Sequence, residues 1–237
     1  ITSLTQRLTG PSPTPMLFNP SVADVRRYFC NVWKKHQQGT PLEPLEMVAL
    51  QWIGQPYEAK AVTHAQIKEP AYLAMNPQGA VPLLVDGDLV LSQNVAILAY
   101  LDARFPEARL FGSDTIEGKA RAWRWLAFLN ADVHKAFGQL FRTPPWAEDE
   151  TVKNAMQQAA RTQIAGMLKQ ADDQLANHAW LGGEEISVAD IYLYVILRWA
   201  NGLSVDLSQM KHLNEFQKRV AADPGVREVC AQEGLQP

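Results

Sequence analysis

Between Ser21 and Gln37 the apolar residues fall at Val22, Val25, Phe29, Val32 and Trp33. This three-four spacing predicts a helix with one buried stripe, and Gly39 ends the run. The pattern returns more briefly over Glu43 to Ile53 through Leu45, Val48, Ala49 and Trp52, and Gly54 follows as a left-handed cap. Tyr57 to Val62 reads as a short strand and Glu69 to Met75 as a short helix. Val81 to Val85 and Leu89 to Leu91 flank Asp86-Gly87-Asp88, and Asp-Gly supplies the positive torsions of a tight hairpin. A helix then opens at Gln93 and carries Val95, Ile97, Leu98 and Leu101.

The register breaks in ARFPEARLFGSDT, a Pro- and Gly-bearing connection over residues 105–114. Beyond it the pattern is helical throughout. Long amphipathic runs cover Thr115 to Phe141 and Glu148 to Asn177. Shorter ones cover Ser187 to Ala200 and Leu207 to Ala222, with a last turn or two from Pro224. Ser187-Val188-Ala189-Asp190 has the form of a capping box, with Ile186 and Ile191 at the staple positions.

Composition narrows the classes. The chain has 237 residues, 47% hydrophobic and 20% charged, with a formal net charge of −3. That length suits one large or two small domains, and the slight acidic balance builds no field that would gather nucleic acid or an anionic membrane. Cys30 and Cys230 lie far apart with no secretory h-region before them, so both are expected as free thiols in a reducing cytoplasm. The uncharged run Pro70 to Val85 carries three prolines and is short of the about 20 apolar residues of a membrane span. Residues 1–15 read as a flexible leader.

NPQGAVPLLVDGDLVLSQNVAILAYL, VHKAF and ISVADIYLYVILRWA occur in that order. On these motifs the chain resembles the glutathione transferase family, nearest to its bacterial beta class, from about Val48 to Leu235. The resemblance implies an α/β thioredoxin-like N-terminal domain over residues 16–104, with an atypical or missing first strand. A linker over 105–114 and an all-α helical domain over 115–237 would follow. It implies a cytoplasmic homodimer that joins glutathione, as co-substrate, to small electrophiles in detoxification, with no metal, nucleic acid or membrane involved.

The same resemblance assigns roles. Val81-Pro82 stands where the family holds a cis peptide, with the Val81 backbone pairing with the cysteinyl part of glutathione. Gln93 and Asn94 open a helix, where free amides favour a carboxylate, and they stand where the family takes the γ-glutamyl end. His134 and Lys135 would hold the thiol and the carboxylates of the tripeptide. Tyr192, Tyr194 and Trp199 stand at helical spacing, either as core or as the wall of an apolar substrate pocket, the latter expected of Tyr192 and Trp199 above all.

A glutathione thiol of pKa about 8.5 needs a donor close to sulfur to persist as its anion. Counting back from Gly54 by the family's spacing puts the beta-class cysteine at Leu42 and its serine neighbour at Glu43, neither of which stabilises a thiolate. Activation is left to a backbone amide, to His134 or to Cys30, which shares its helix with Arg26, Arg27 and Lys34. The first strand is missing too, since KKHQQ has no apolar alternation. Either Met16 to Asn19 replaces it, or the N-terminal part, which looks like the start of a small helical bacterial family, is fused to the transferase near Val48. Two further readings stay open: a non-catalytic glutathione-binding member of the fold, and a phosphate- or nucleic-acid-binding module on Arg26, Arg27, Lys34 and Lys35.

Overall fold

A computed structural model gives the structure, which describes residues 16–17, 45–57, 60, 62–142, 144, 146–147 and 149–232. The expected helix over residues 21–37, the leader over 1–15, and Cys30, Leu42 and Glu43 lie outside the described residues.

A three-stranded antiparallel sheet is built from β1 (Met16–Leu17), β2 (Leu83–Asp86) and β3 (Leu89–Ser92), in that order. The hairpin closes on Gly87 at φ +60°, with Asp86 opposite Leu89. The other edge of β2 takes Met16 and Leu17, opposite Val85 and Leu84. Two residues of the upstream segment Met16 to Asn19 singled out from sequence, Met16 and Leu17, therefore lie beside β2, and the other two are outside the described residues. Of the stretch Tyr57 to Val62 expected as a strand, Tyr57, Lys60 and Val62 are described and none lies in a strand, while the rest lies outside the described residues. Val62 instead packs with Ile67, Tyr72 and Leu83.

β2 alternates between two layers, as a pleated strand must. Leu83 points to that small cluster beside the helix α2 (Pro70–Met75). Leu84 points to the main core with α1 (Leu45–Ile53) and α3 (Asn94–Arg104). Asp86 ties the hairpin to α3, accepting from Tyr100 Oη at 2.5 Å and pairing with Arg104 Nε at 3.1 Å.

The helical part follows a short turn at Pro106–Ala108. It comprises α4 (Ile116–Phe128), α5 (His134–Phe141), α6 (Glu150–Leu175), α7 (Val188–Gly202), α8 (Lys211–Ala221) and α9 (Pro224–Gln232). The run expected as one helix from Thr115 to Phe141 is interrupted by a π turn at Leu129–Val133 between α4 and α5. Apolar spacing is blind to one inserted residue when the helix axis continues.

Helix α7 forms the centre: twelve of its residues, from Val188 to Ala200, are buried. Its start is the expected capping box between Ser187 and Asp190. A second long-range cap comes from Asp172 on α6, whose Oδ1 accepts from the amides of His212 at 2.9 Å and Leu213 at 3.0 Å to open α8. One core cluster runs from Met47 to Cys230 and joins α1, the sheet and the helical part. Among the described residues no helix is long and apolar enough to cross a membrane.

Candidate functional site

Three pieces of backbone meet around a cavity of about 160 Å³: the loop from Asn76 to Pro82, the turn from Ser92 to Asn94, and the π turn before α5. Its walls are Asn76, Gln78, Ala80, Val81, Pro82, Ser92, Gln93, Asn94, Asn130 and His134.

The first loop is fixed by side chains turned back on its carbonyls. Tyr72 Oη at 2.6 Å and Asn76 Nδ2 at 2.7 Å both donate to the Ala80 carbonyl, and Lys68 Nζ donates to the Gly79 carbonyl at 2.8 Å. Gly79 has φ +55°, and a Cβ there would lie 2.8 Å from the Ile67 carbonyl oxygen, so the close approach requires glycine. The Val81-Pro82 peptide is cis, and the Val81 side chain is 48% exposed.

The second piece turns at Gln93, which has φ 73° and ψ 116°, a region that residues with a side chain seldom adopt. Gln93 Nε2 donates to Gln78 Oε1 at 2.7 Å and so links the two loops. Asn94 begins α3 and is buried. The first amides of a helix lack intrahelical acceptors and carry the positive end of its dipole, so this corner favours an anionic group.

The helical wall comes from the π turn. The His134 amide donates to the Leu129 carbonyl five residues back, and the wider turn places Asn130 and His134 on the same cavity. His134 Nδ1 lies 2.5 Å from Tyr192 Oη, which also lies 3.4 Å from Asn130 Oδ1. Behind the imidazole stands Trp199, edge-on at 4.8 Å between ring centroids. Burial lowers the His134 pKa below the ordinary 6.5, so the imidazole is neutral at neutral pH. A neutral imidazole beside a cavity can take up or hold a proton. Among the described residues the walls carry amides, a hydroxyl and this imidazole, with no carboxylate, lysine or arginine.

Of the residues singled out from sequence, Val81, Pro82, Gln93, Asn94 and His134 come together here. Lys135 does not: it is exposed and outside the cavity walls, because the next position on a helix turns about 100° away. Tyr192 and Trp199 form no substrate pocket either, and that expectation is corrected. Both are fully buried in α7, behind His134 rather than facing the cavity, and Tyr194 is buried as well.

Sequence reading missed Asn76, Gln78, Ala80, Ser92 and Asn130. Asn130 stands four residues before His134, but its place on the wall depends on the π turn between them. Among the described residues no group of three His, Cys, Asp or Glu side chains could hold a metal ion.

Comparison with known proteins gives a consistent result. Residues 47–109 match the family model "Glutathione S-transferase, N-terminal domain", and residues 124–224 match "Glutathione S-transferase, C-terminal domain". Glutathione S-transferase GST-4.5 of Xanthomonas campestris is 38% identical over 188 residues, 79% of this chain and 92% of the relative. The solved glutathione-S-transferase from Xylella fastidiosa is 40% identical with a TM-score of 0.77, over 81% of this chain and 93% of that one. A sphingomonad glutathione S-transferase solved in complex with glutathione is 32% identical with a TM-score of 0.70, over 81% and 94% of the two chains.

Proposed function

The chain belongs to the glutathione S-transferase family, and from that premise we propose that the cavity at Val81, Asn94 and His134 is where it binds glutathione. The protein is a transferase that conjugates the glutathione thiolate to small electrophiles. One observation carries the placement: the wall from the sheet and the wall from the helical part, each bearing a motif of the resemblance, close on one cavity.

The tripeptide lies extended along Val81, as a strand added to a sheet edge, with its γ-glutamyl carboxylate at the amides of Gln93 and Asn94. Neutral amides rather than ion pairs hold it from this chain's described walls. At about 160 Å³ the cavity is smaller than the roughly 300 Å³ at which ligand sites begin. It receives the two recognised ends and leaves the sulfur open to a second substrate. His134, neutral and beside the cavity, takes the thiol proton. The resulting thiolate attacks the electrophilic carbon and displaces its leaving group.

The wider reading is a cytoplasmic, beta-class homodimer in detoxification. The resemblance and the exposed apolar pair Leu89 and Val90 on β3 support a partner surface there. Conjugation of 1-chloro-2,4-dinitrobenzene by the purified protein tests the activity, with calorimetric titration of glutathione alongside. The expected outcome is saturable turnover above the spontaneous rate. Binding without turnover would remove the catalytic reading, and absence of binding would remove the site.

A further inference from the structure

The carbonyl of Ala80 is gripped by two donors at once. Tyr72 Oη donates to it at 2.6 Å and Asn76 Nδ2 at 2.7 Å, so both lone pairs of that oxygen are engaged. Neither donor can change its role. A carbonyl only accepts, so the tyrosine proton points at it. Burial raises the Tyr72 pKa above the ordinary 10.0, against a smaller lowering by Asn76, and the proton stays in place at neutral pH. The Asn76 amide has one orientation, because its Oδ1 accepts from the Gln78 amide at 3.2 Å while its Nδ2 faces the carbonyl. Turned over, acceptor would meet acceptor and donor would meet donor.

The donors are themselves anchored. Both Tyr72 and Asn76 are buried, and the Tyr72 ring packs with Val62, Ile67 and Leu83. Leu83 is the residue after Pro82. One small cluster therefore holds the loop on both sides of the cavity wall.

The consequence falls on Val81. The Ala80–Val81 peptide is trans and planar, so its C=O and N–H point in opposite directions. A carbonyl held toward α2 sends the Val81 N–H away from α2. Among the described residues nothing accepts from that amide, and Val81 stands on the cavity wall. The competing arrangement is the same peptide turned over in place, the rotation that separates type I from type II turns. It would present the Ala80 oxygen to the ligand, and a carbonyl of the tripeptide would then meet another acceptor.

We propose that Tyr72 and Asn76 are positioning residues that clamp the Ala80–Val81 peptide, so that the Val81 N–H is set in advance to donate to the cysteinyl carbonyl of glutathione. The inference rests on the reading that the tripeptide lies along Val81. The clamp takes no part in the chemistry; it spares the complex the ordering of that peptide on binding. Its effect is the same on bound substrate and transition state, because the tripeptide backbone does not change between them.

Hydrogen exchange of the Val81 amide reads the orientation directly, in nitrogen-15 spectra of the wild-type protein labelled at valine, with the signal assigned by its loss in Val81→Ile. The expected result is fast exchange in the free protein, slowed by at least about tenfold when glutathione saturates. An amide already protected in the free protein overturns the proposal whether or not any variant folds. Fast exchange that persists while calorimetry shows glutathione bound also overturns it, and spares the binding site; absence of calorimetric binding removes the site and the proposal together. Tyr72 lies outside the cavity walls whereas Asn76 is on them, so Tyr72 supplies the second reading. Tyr72→Phe keeps the ring in its cluster and loses the hydroxyl. It should raise KM for glutathione about 3- to 10-fold, with kcat for 1-chloro-2,4-dinitrobenzene changed by less than about twofold. At saturating glutathione its Val81 amide should exchange faster than that of wild type, a change that a merely structural hydroxyl would not produce. An unchanged KM and unchanged Val81 protection in the folded variant sink the role of Tyr72 and leave the glutathione site standing.

Discussion

Gln93 holds φ at 73° although it is not glycine. Backbone held in a sparsely populated region costs on the order of 1–3 kcal/mol and persists where the surroundings over-determine it. Here that turn aims the amides opening α3 into the cavity, and the Gln93 side chain links to Gln78. Replacement by glycine should relieve the backbone and raise unfolding free energy by about 1 kcal/mol, while glutathione affinity falls because the side-chain amide is gone. Gln93→Ala should lose the same affinity without the gain in stability, since alanine keeps a Cβ. Urea midpoints and calorimetric titration of both variants check this, and a glycine variant no more stable than the alanine one would remove strain from the account. Gln93 and Asn94 were legible from sequence because a pair of amides sat at a helix start. Asn130 was not, since its place on the cavity depends on an extra residue in the turn. Tyr192 and Trp199 were legible as a stripe only. Periodicity says that a face is apolar, not whether a cavity or the core lies against it.

At the scale of elements, the start of α7 turns on Asp190. Its Oδ1 accepts from the Leu181 amide at 2.8 Å, and its Oδ2 from the Ser187 amide at 2.9 Å and hydroxyl at 2.8 Å. Burial outweighs these donors and raises its pKa from 3.8 to about 6. A carboxyl with a folded value above its unfolded one takes up a proton on folding between the two. The linked stability is therefore complete below pH 3.8 and is lost as pH rises through about 6. Asp190→Asn should lower stability at every pH, because its NH₂ meets donors. The gap between wild type and variant should widen by on the order of 2–3 kcal/mol from neutral pH to about pH 4. Denaturant titrations at several pH values measure this gap, and a gap that narrows on acidification contradicts the burial argument. This box was plain in the sequence because its signal is local. Of the strand expected at Tyr57 to Val62, the described residues Tyr57, Lys60 and Val62 lie in no strand, since strand formation depends on a partner edge that no local pattern reveals.

For the whole molecule, the sheet layer and the helical part share one core. α1 packs against α3, α7 and α9, and Trp52 Nε1 reaches Asp223 Oδ1 at 3.3 Å. Leu50, Leu84 and Ile97 belong to the same buried cluster as Trp199 and Phe216. The order of motifs along the chain made two parts legible, but not that they are continuous inside, because the side chains that join them are distant in sequence. With apolar surface shared across that junction, neither part can open without exposing the other, so heating should give one cooperative transition rather than two. The cavity has a wall from each part, so its ligand binds only the state in which both are folded. Glutathione at about 100 times its dissociation constant should then add about 2.7 kcal/mol and move the whole transition up by roughly 5–10 °C. Differential scanning calorimetry with and without the tripeptide decides the matter. Two resolved transitions, with glutathione moving only the one that melts the sheet, would show that the helical wall with Asn130 and His134 takes no part in holding the ligand.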